Sequence, residues 1–212
     1  MVESIWGETS NHAVNQLATL VRENQRPGMV VVEVGVWRGD TALLWLPTVK
    51  AVGGKGILID WFRGTSGENA LPGTGCPYDP NPLTAWLRCH DLADRLGAAG
   101  FDDICEIWMA DSWRAARELT DESCDIIFID ADHRYDYVKT DVTNYLPKVR
   151  PGGILCGHDF SDFAMAITDP EFVKFGYYEG RHWGVDLAVT EAFRIDSVRV
   201  LPDSVWAWRK PV

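Results

Sequence analysis

The chain has 212 residues, 46% of them hydrophobic and 24% charged, enough for one sizeable core and too few for two comfortable domains. These fractions are ordinary for a globular protein and exclude wholesale disorder, and no uninterrupted apolar stretch approaches the roughly 20 residues that cross a bilayer. Twenty basic residues against 31 acidic ones leave a net charge of −11, a surface that repels polyanions and argues against DNA or RNA as a partner.

Residues 10–25 carry Ala13, Leu17, Leu20 and Val21 at helical spacing, with Ser10 as a candidate N-cap and Pro27-Gly28 as the stop. This helix is also a candidate dimer contact. The run Met29 to Gly35 is short, β-branched and apolar, which suits a strand buried on both faces of a parallel sheet. A helix over about 39–50 and a strand from Gly56 to Asp60 follow. Residues 62–80 are rich in Gly, Pro, Ser, Thr and Asn, and read as a long loop that is either a lid or an inert excursion.

Next come a helix at about 82–97, a strand near 103–109, a helix near 112–119 and a buried strand from Cys124 to Asp130. Val138, Val142, Tyr145 and Leu146 put one apolar face on a helix over 134–147. Pro151-Gly152-Gly153 is expected to turn the chain into a strand from Ile154 to Asp159. An irregular stretch over 160–182, a helix over 184–194 and strands Ser197 to Leu201 and Ser204 to Trp208 complete the chain.

Strands alternating with helices predict right-handed βαβ crossovers, hence an α/β, Rossmann-like, doubly wound and mostly parallel sheet. The last helix and its two closely spaced strands predict an antiparallel hairpin at one edge. The whole chain is expected to form a single domain. Met1-Val2-Glu3-Ser4 lacks the pattern of a signal peptide, so a cytoplasmic location and no membrane contact are expected. Five cysteines, odd in number and without a C-x-x-C pair, read as small buried hydrophobes.

Ligands of open α/β sheets bind beyond the carboxyl ends of the strands. An acidic residue stands at or near each of five such ends: Glu33, Asp60, Asp111, Asp130 and Asp159. Core packing does not explain that. In the first turn, Glu33-Val34-Gly35-Val36-Trp37-Arg38-Gly39-Asp40, Gly35 frees the backbone and lets a ligand lie against it, while Gly39 eases entry into the next helix. Val36 and Trp37 break the dinucleotide G-x-G-x-x-G spacing, which weakens a nicotinamide dehydrogenase reading.

A carboxylate at Asp60 can accept both hydroxyl protons of a ribose, or simply serve a turn. Asp111 can accept from an adenine amino group or cap the helix that starts with Ser112. Trp37 and Trp61 either line a pocket or pack the core.

The run Glu33 to Asp40, Asp60 after its apolar strand, Ala110-Asp111-Ser112, Phe128-Ile129-Asp130-Ala131-Asp132-His133, and Pro151-Gly152-Gly153 to Gly157-His158-Asp159 together resemble class I S-adenosylmethionine-dependent methyltransferases. The small-molecule O-methyltransferase branch, with its macrolide and aminocoumarin sugar enzymes and catechol-type enzymes, is the most similar. The resemblance implies a seven-stranded sheet with a reversed terminal hairpin. It also implies Glu33 and Gly35 near the methionine moiety, Asp60 on the ribose and Asp111 at the adenine. Trp37, Gly39, Trp61, Ser112 and Asp130 join the expected cofactor contacts.

Methyl transfer to a hydroxyl needs an aligned nucleophile and an exit for its proton, through a general base or a divalent cation. Asp130 and Asp159 end adjacent predicted strands and match the acidic metal ligands of metal-dependent relatives. His158 is the third ligand candidate and departs from the oxygen donors usual for Mg²⁺. Mg²⁺ or Mn²⁺ is the expected ion. His133 is the leading base candidate, its alternative being a cap or packing role at the helix start, and Asp132 and Asp130 are the others. Asp132 is also a candidate helix cap. His182 and Trp183 either close over the acceptor or belong to a surface loop. A small-molecule acceptor is expected. Amino-methylating DNA enzymes carry an Asn/Asp-Pro-Pro-aromatic motif where this chain has Asp130-Ala131-Asp132-His133. A non-catalytic cofactor-binding module is the remaining rival.

Overall fold

The computed structural model describes residues 14–64, 78–160 and 183–212. At its centre is β1 (Val30–Val34), four valines and a glutamate with four of five positions buried, as β-branched side chains favour on a pleated surface. β1 lies parallel between β2 (Lys55–Asp60) and β4 (Cys124–Ile129). β3 (Cys105–Met109) and β5 (Val149–Gly157) extend the parallel sheet on either side. The closing hairpin is β6 (Val198–Leu201) and β7 (Val205–Arg209). Its second strand docks antiparallel on β5, giving seven strands in the order β3-β2-β1-β4-β5-β7-β6. The expected doubly wound α/β sheet with its reversed hairpin is thus the observed one.

Helices cover both faces. On one side, α1 (Asn15–Glu23), α2 (Ala42–Ala51) and α3 (Pro82–Ala98) pack against Val31, Leu58, Ile126, Phe128 and Cys156. On the other, α4 (Ser112–Glu118), α5 (Tyr135–Tyr145) and α6 (Trp183–Ala192) close over Val32, Val34, Ile59, Ile127 and Leu155. Each such aliphatic contributes about 1.5–3 kcal/mol when withdrawn from water. α3 begins as its sequence dictates, with Asn81 accepting from Leu83 N at 3.0 Å and Pro82 in the first turn.

Two boundaries differ from expectation. The described first helix starts at Asn15, and Val14 at its N-cap donates its backbone N–H to Thr41 Oγ1 at 3.0 Å. Ser10 lies outside the described residues. The apolar face of α1 (Leu17, Leu20, Val21) is buried in its own chain's core. β5 starts at Val149, so Pro151-Gly152-Gly153 lies within the strand and not before it. The ladder skips there from Cys124↔Val149 to Ile126↔Ile154, and such an irregularity tolerates a proline that has no N–H to give. Cys124 and Cys156 are buried as expected, whereas Cys105 is only partly so. Among the described residues, no helix is long and apolar enough to cross a membrane.

Candidate functional site

The pairings Val34↔Ile59, Val34↔Ile129 and Ile129↔Gly157 set the carboxyl ends of β2, β1, β4 and β5 level. Everything that immediately follows these strands shares one rim. The winding reverses there, since β1 leads to β2 on one side and has β4 on the other, which is where open α/β sheets bind ligands. Backbone strain gathers on the same rim. Trp37, Phe62 and Asp159, which follow β1, β2 and β5, all have φ between 49° and 59°, a region that bulky side chains rarely adopt.

Gly35 is required by a close approach. With φ +85° it sits so near the next turn that a Cβ would overlap the backbone of Asp130 and Ala131. Its N–H donates to Ile59 O at 2.8 Å, and Asp130 N donates to Val34 O at 2.8 Å. The expected role of leaving room for a ligand is therefore joined by a packing role. At Gly39 (φ +77°) a Cβ would run into the Leu92 side chain of α3.

Asp60 ties two turns together. Its Oδ2 accepts from Val36 N at 2.9 Å and Trp37 N at 2.7 Å, and its Oδ1 from Phe62 N at 2.6 Å. Burial raises its pKa, against the pull of those N–H groups. Trp61 is half-buried, its ring 5.9 Å from that of Tyr78, and Trp37 is half-buried too. Neither belongs to the fully buried aromatic core, which is built on Trp45 and Trp206. Glu33 lies deeper. It is 2% exposed, its Oε2 accepts from Trp45 Nε1 at 2.6 Å, and burial pushes its carboxyl up to about 8.

Beyond β3, Asp111 occupies the N-cap position of α4 but makes no side-chain capping bond. It faces Arg114 at 3.6 Å. The expected cap is absent because the carboxylate turns to that guanidinium. Ser112 gives its hydroxyl hydrogen to Asp141 Oδ1 at 2.5 Å.

At the tips of β4 and β5, two carboxylates and two imidazoles converge. His133 Nε2 lies 3.3 Å from Asp130 Oδ1 and 3.2 Å from Asp159 Oδ2. His158 Nδ1 lies 3.4 Å from Asp159 Oδ1 and 3.7 Å from Asp130 Oδ1. Against the opposing effect of burial, contact with the imidazoles holds Asp130 and Asp159 below the usual carboxylate range. The same contacts raise His133, and lift His158 to about 10. All four side chains remain 18–29% exposed, so a small ligand can reach them.

Among the described residues, Asp130, His133 and Asp159 form a group that could hold a metal ion, their ligand atoms lying within 4.8 Å of one another. His158, the expected third ligand, stands beside this group at 3.4 Å from Asp159 and 3.7 Å from Asp130, and His133 joins it. His133 is not a helix cap, since Arg134 holds that position on α5. Asp132 does not cap α5 either. It accepts from Arg134 N at 3.0 Å and grips the Arg134 guanidinium with both oxygens. Most of the expected lid and acceptor loops, 62–80 and 160–182, and with them His182, lie outside the described residues. Trp183 opens α6.

Asp141 and Arg88 are among the buried polar groups outside the expected site. Asp141 (3% exposed) lies on the inner face of α5, and burial pushes its carboxyl up to about 7. Arg88 (3% exposed) reaches from α3 to Phe62 O at 3.0 Å. Both fall on their helix's apolar stripe, a signal available in the spacing.

A model of the methyltransferase domain family matches residues 32–160, which include the rim from Glu33 to Asp159. No curated protein sequence matches the chain. Solved structures do. The SAH-bound methyltransferase PaMTH1 of Podospora anserina is 15% identical with a TM-score of 0.61, over 93% of this chain and 76% of that one. The O-methyltransferase NovP is 18% identical with a TM-score of 0.60, over 93% and 78%. Cofactor-bound Rv0187 from MTB is 14% identical with a TM-score of 0.58, over 97% and 85%. At such identities the likeness is one of fold.

Proposed function

The chain belongs to the methyltransferase domain family, and from that premise we propose that it moves the methyl group of S-adenosylmethionine to a hydroxyl oxygen of a small-molecule acceptor. The observation that carries this reading is the convergence of Asp130, His133 and Asp159 on one solvent-reachable point at the tips of β4 and β5. That is where an acceptor hydroxyl would meet groups able to manage its proton. An overall charge of −11 favours a small acceptor over a nucleic acid. The names of NovP and similar neighbours favour oxygen as the receiving atom.

The rim suits the cofactor. Asp60 spends three acceptor positions on backbone N–H groups, and a carboxylate offers about four, so one is left for a ribose hydroxyl. Asp111 is partly exposed and would serve the adenine amino group. Gly35, Trp37, Gly39, Trp61, Ser112 and Asp130 line or shape the same rim, with Glu33 supporting the first turn from beneath. Arg38 Nε is buried beside that turn with no hydrogen-bond partner among the described residues. A donor left so costs about 1–3 kcal/mol, and it suits a ligand that brings an acceptor such as a carboxylate.

Bound S-adenosylmethionine supplies a methyl carbon already attached to a good leaving group. The chain's task is to hold the acceptor oxygen about 3 Å from that carbon and in line with it. His133 then acts either as the base, with Asp130 and Asp159 stabilising its cation, or as a ligand. A divalent cation held by Asp130, His133, Asp159 and His158 would lower the acidity threshold of the hydroxyl and orient it.

The test is release of S-adenosylhomocysteine from the purified protein with phenol, catechol, sugar and polyketide acceptors, with and without chelator. Transfer to at least one hydroxyl supports the reading, and loss of that transfer on chelation identifies the cation route. Transfer confined to amines or to a macromolecule overturns the acceptor assignment. Binding without any transfer would mark a cofactor-binding module.

A further inference from the structure

We infer that the cluster at the β4 and β5 tips takes a divalent transition ion, of the class of Mn²⁺, Fe²⁺, Co²⁺ or Zn²⁺, through the His133 imidazole together with the Asp130 and Asp159 carboxylates, in preference to Mg²⁺. This rests on reading those tips as the acceptor site.

The donor set does not fit Mg²⁺, which demands near-ideal octahedral oxygens and gives up its water reluctantly. The trio here includes a ring nitrogen, and imidazole suits the later divalent metals. The two distances from the imidazole to the carboxylates agree with a common ion. Two donors each about 2.1 Å from one metal, as for zinc, and set 90–110° apart are separated by about 3.0–3.4 Å. His133 Nε2 stands 3.3 Å from Asp130 Oδ1 and 3.2 Å from Asp159 Oδ2. A single divalent ion also balances both carboxylate charges.

His158 strengthens the assignment. Its Nδ1 is 3.4 Å from Asp159 and 3.7 Å from Asp130, so it serves as a second nitrogen donor or as the outer partner of a ligating carboxylate, the arrangement that orients metal ligands. The cluster is also built on firm ground. Asp130 is fastened through its N–H to β1, and His158 through its N–H to Ile129 O at 3.1 Å.

The experiment uses the full chain stripped of metal. Mg²⁺, Mn²⁺, Co²⁺ and Zn²⁺ are titrated separately by calorimetry, visible absorption is followed with Co²⁺, and pulsed EPR is recorded on the Mn²⁺-loaded protein. Expected are one Co²⁺ per chain bound at least about 100-fold more tightly than Mg²⁺, and nitrogen coupling to Mn²⁺. His133→Ala should weaken Co²⁺ by about 10–100-fold or more, as loss of even an outer-shell partner does. S-adenosylhomocysteine binding, measured in parallel, should persist in H133A. Equal affinity for Mg²⁺, absence of nitrogen coupling, or no bound cation overturns the inference while leaving the methyltransferase reading intact. Failure of the unaltered chain to bind S-adenosylhomocysteine would instead sink that reading. If H133A does not fold, the nitrogen coupling of the unaltered protein decides.

Discussion

The Ser112 hydroxyl donates to the carboxyl of Asp141 across 2.5 Å, joining the start of α4 to the inner face of α5. Tyr145, one turn further along α5, donates its hydroxyl to Ser112 O at 2.8 Å. Asp141 is thus a buried acid whose pKa is pushed by burial from 3.8 up to about 7. A carboxyl raised on folding favours the native state while it stays protonated. Its contribution is whole below about pH 4 and is lost as pH rises to about 7. At about 1.4 kcal/mol per unit the swing is on the order of 4 kcal/mol. Asp141→Asn, which keeps an acceptor for Ser112, should therefore gain stability relative to the unaltered chain between pH 4 and 7 and be the more stable at pH 8. Urea unfolding at several pH values checks this; parallel curves for the two proteins would disprove it.

Gly35→Ala tests the contact between the first turn and the Asp130 turn. A Cβ there meets the carbonyl of Asp130 at a backbone φ of +85°. Strain of about 1–3 kcal/mol for the backbone and a similar amount for overpacking should lower stability by about 2–6 kcal/mol. Because the turns must part, Asp130 moves, and S-adenosylhomocysteine binding should weaken with it. A variant of unchanged stability and binding would show that the two turns are not held in this apposition.

Arg88 acts on the rim from behind. Its guanidinium holds Phe62 O at 3.0 Å, and Phe62, at φ 59°, lends its N–H to Asp60. Arg88→Met should leave that carbonyl unsatisfied and cost about 1–3 kcal/mol. The cofactor KM should rise about tenfold with kcat little changed, the signature of lost uniform binding, and Arg88→Lys should recover part of it. A fall in kcat at constant KM would place Arg88 in another role.

The sheet was legible because its strands are nearly unbroken apolar runs, and β1, β2 and β4 lie within or beside the runs Met29 to Gly35, Gly56 to Asp60 and Cys124 to Asp130 that predict them. So were the acids at their tips. What escaped notice depends on three dimensions. His133 and Asp159 meet only because β4 and β5 pair with Ile129 beside Gly157, a register that local spacing does not reveal. Asp141 sits with Val138, Val142 and Tyr145 on the buried stripe of α5, and Arg88 with Ala85, Leu92 and Leu96 on that of α3. Periodicity placed both inward. Residue type argued the opposite, since charged side chains are rarely buried without a partner, and the partners are distant in sequence.

Three base candidates stand close together in the chain, and geometry separates them. Asp132 has both oxygens on the Arg134 guanidinium, a charge-assisted fork that turns the carboxylate toward its own neighbour and not toward an acceptor hydroxyl. Asp130 and His133 face Asp159 and His158 across the rim instead. Asp132→Asn should therefore change turnover of a hydroxyl acceptor by less than about threefold, whereas Asp130→Asn and His133→Ala should each lower it by about 10²-fold or more. Binding of S-adenosylhomocysteine to D132N and H133A should persist, which separates a lost chemical step from a lost cofactor. Were D132N to lose turnover as H133A does, with binding intact, the proton would have to leave through Asp132, and its pairing with Arg134 would have to break during each cycle.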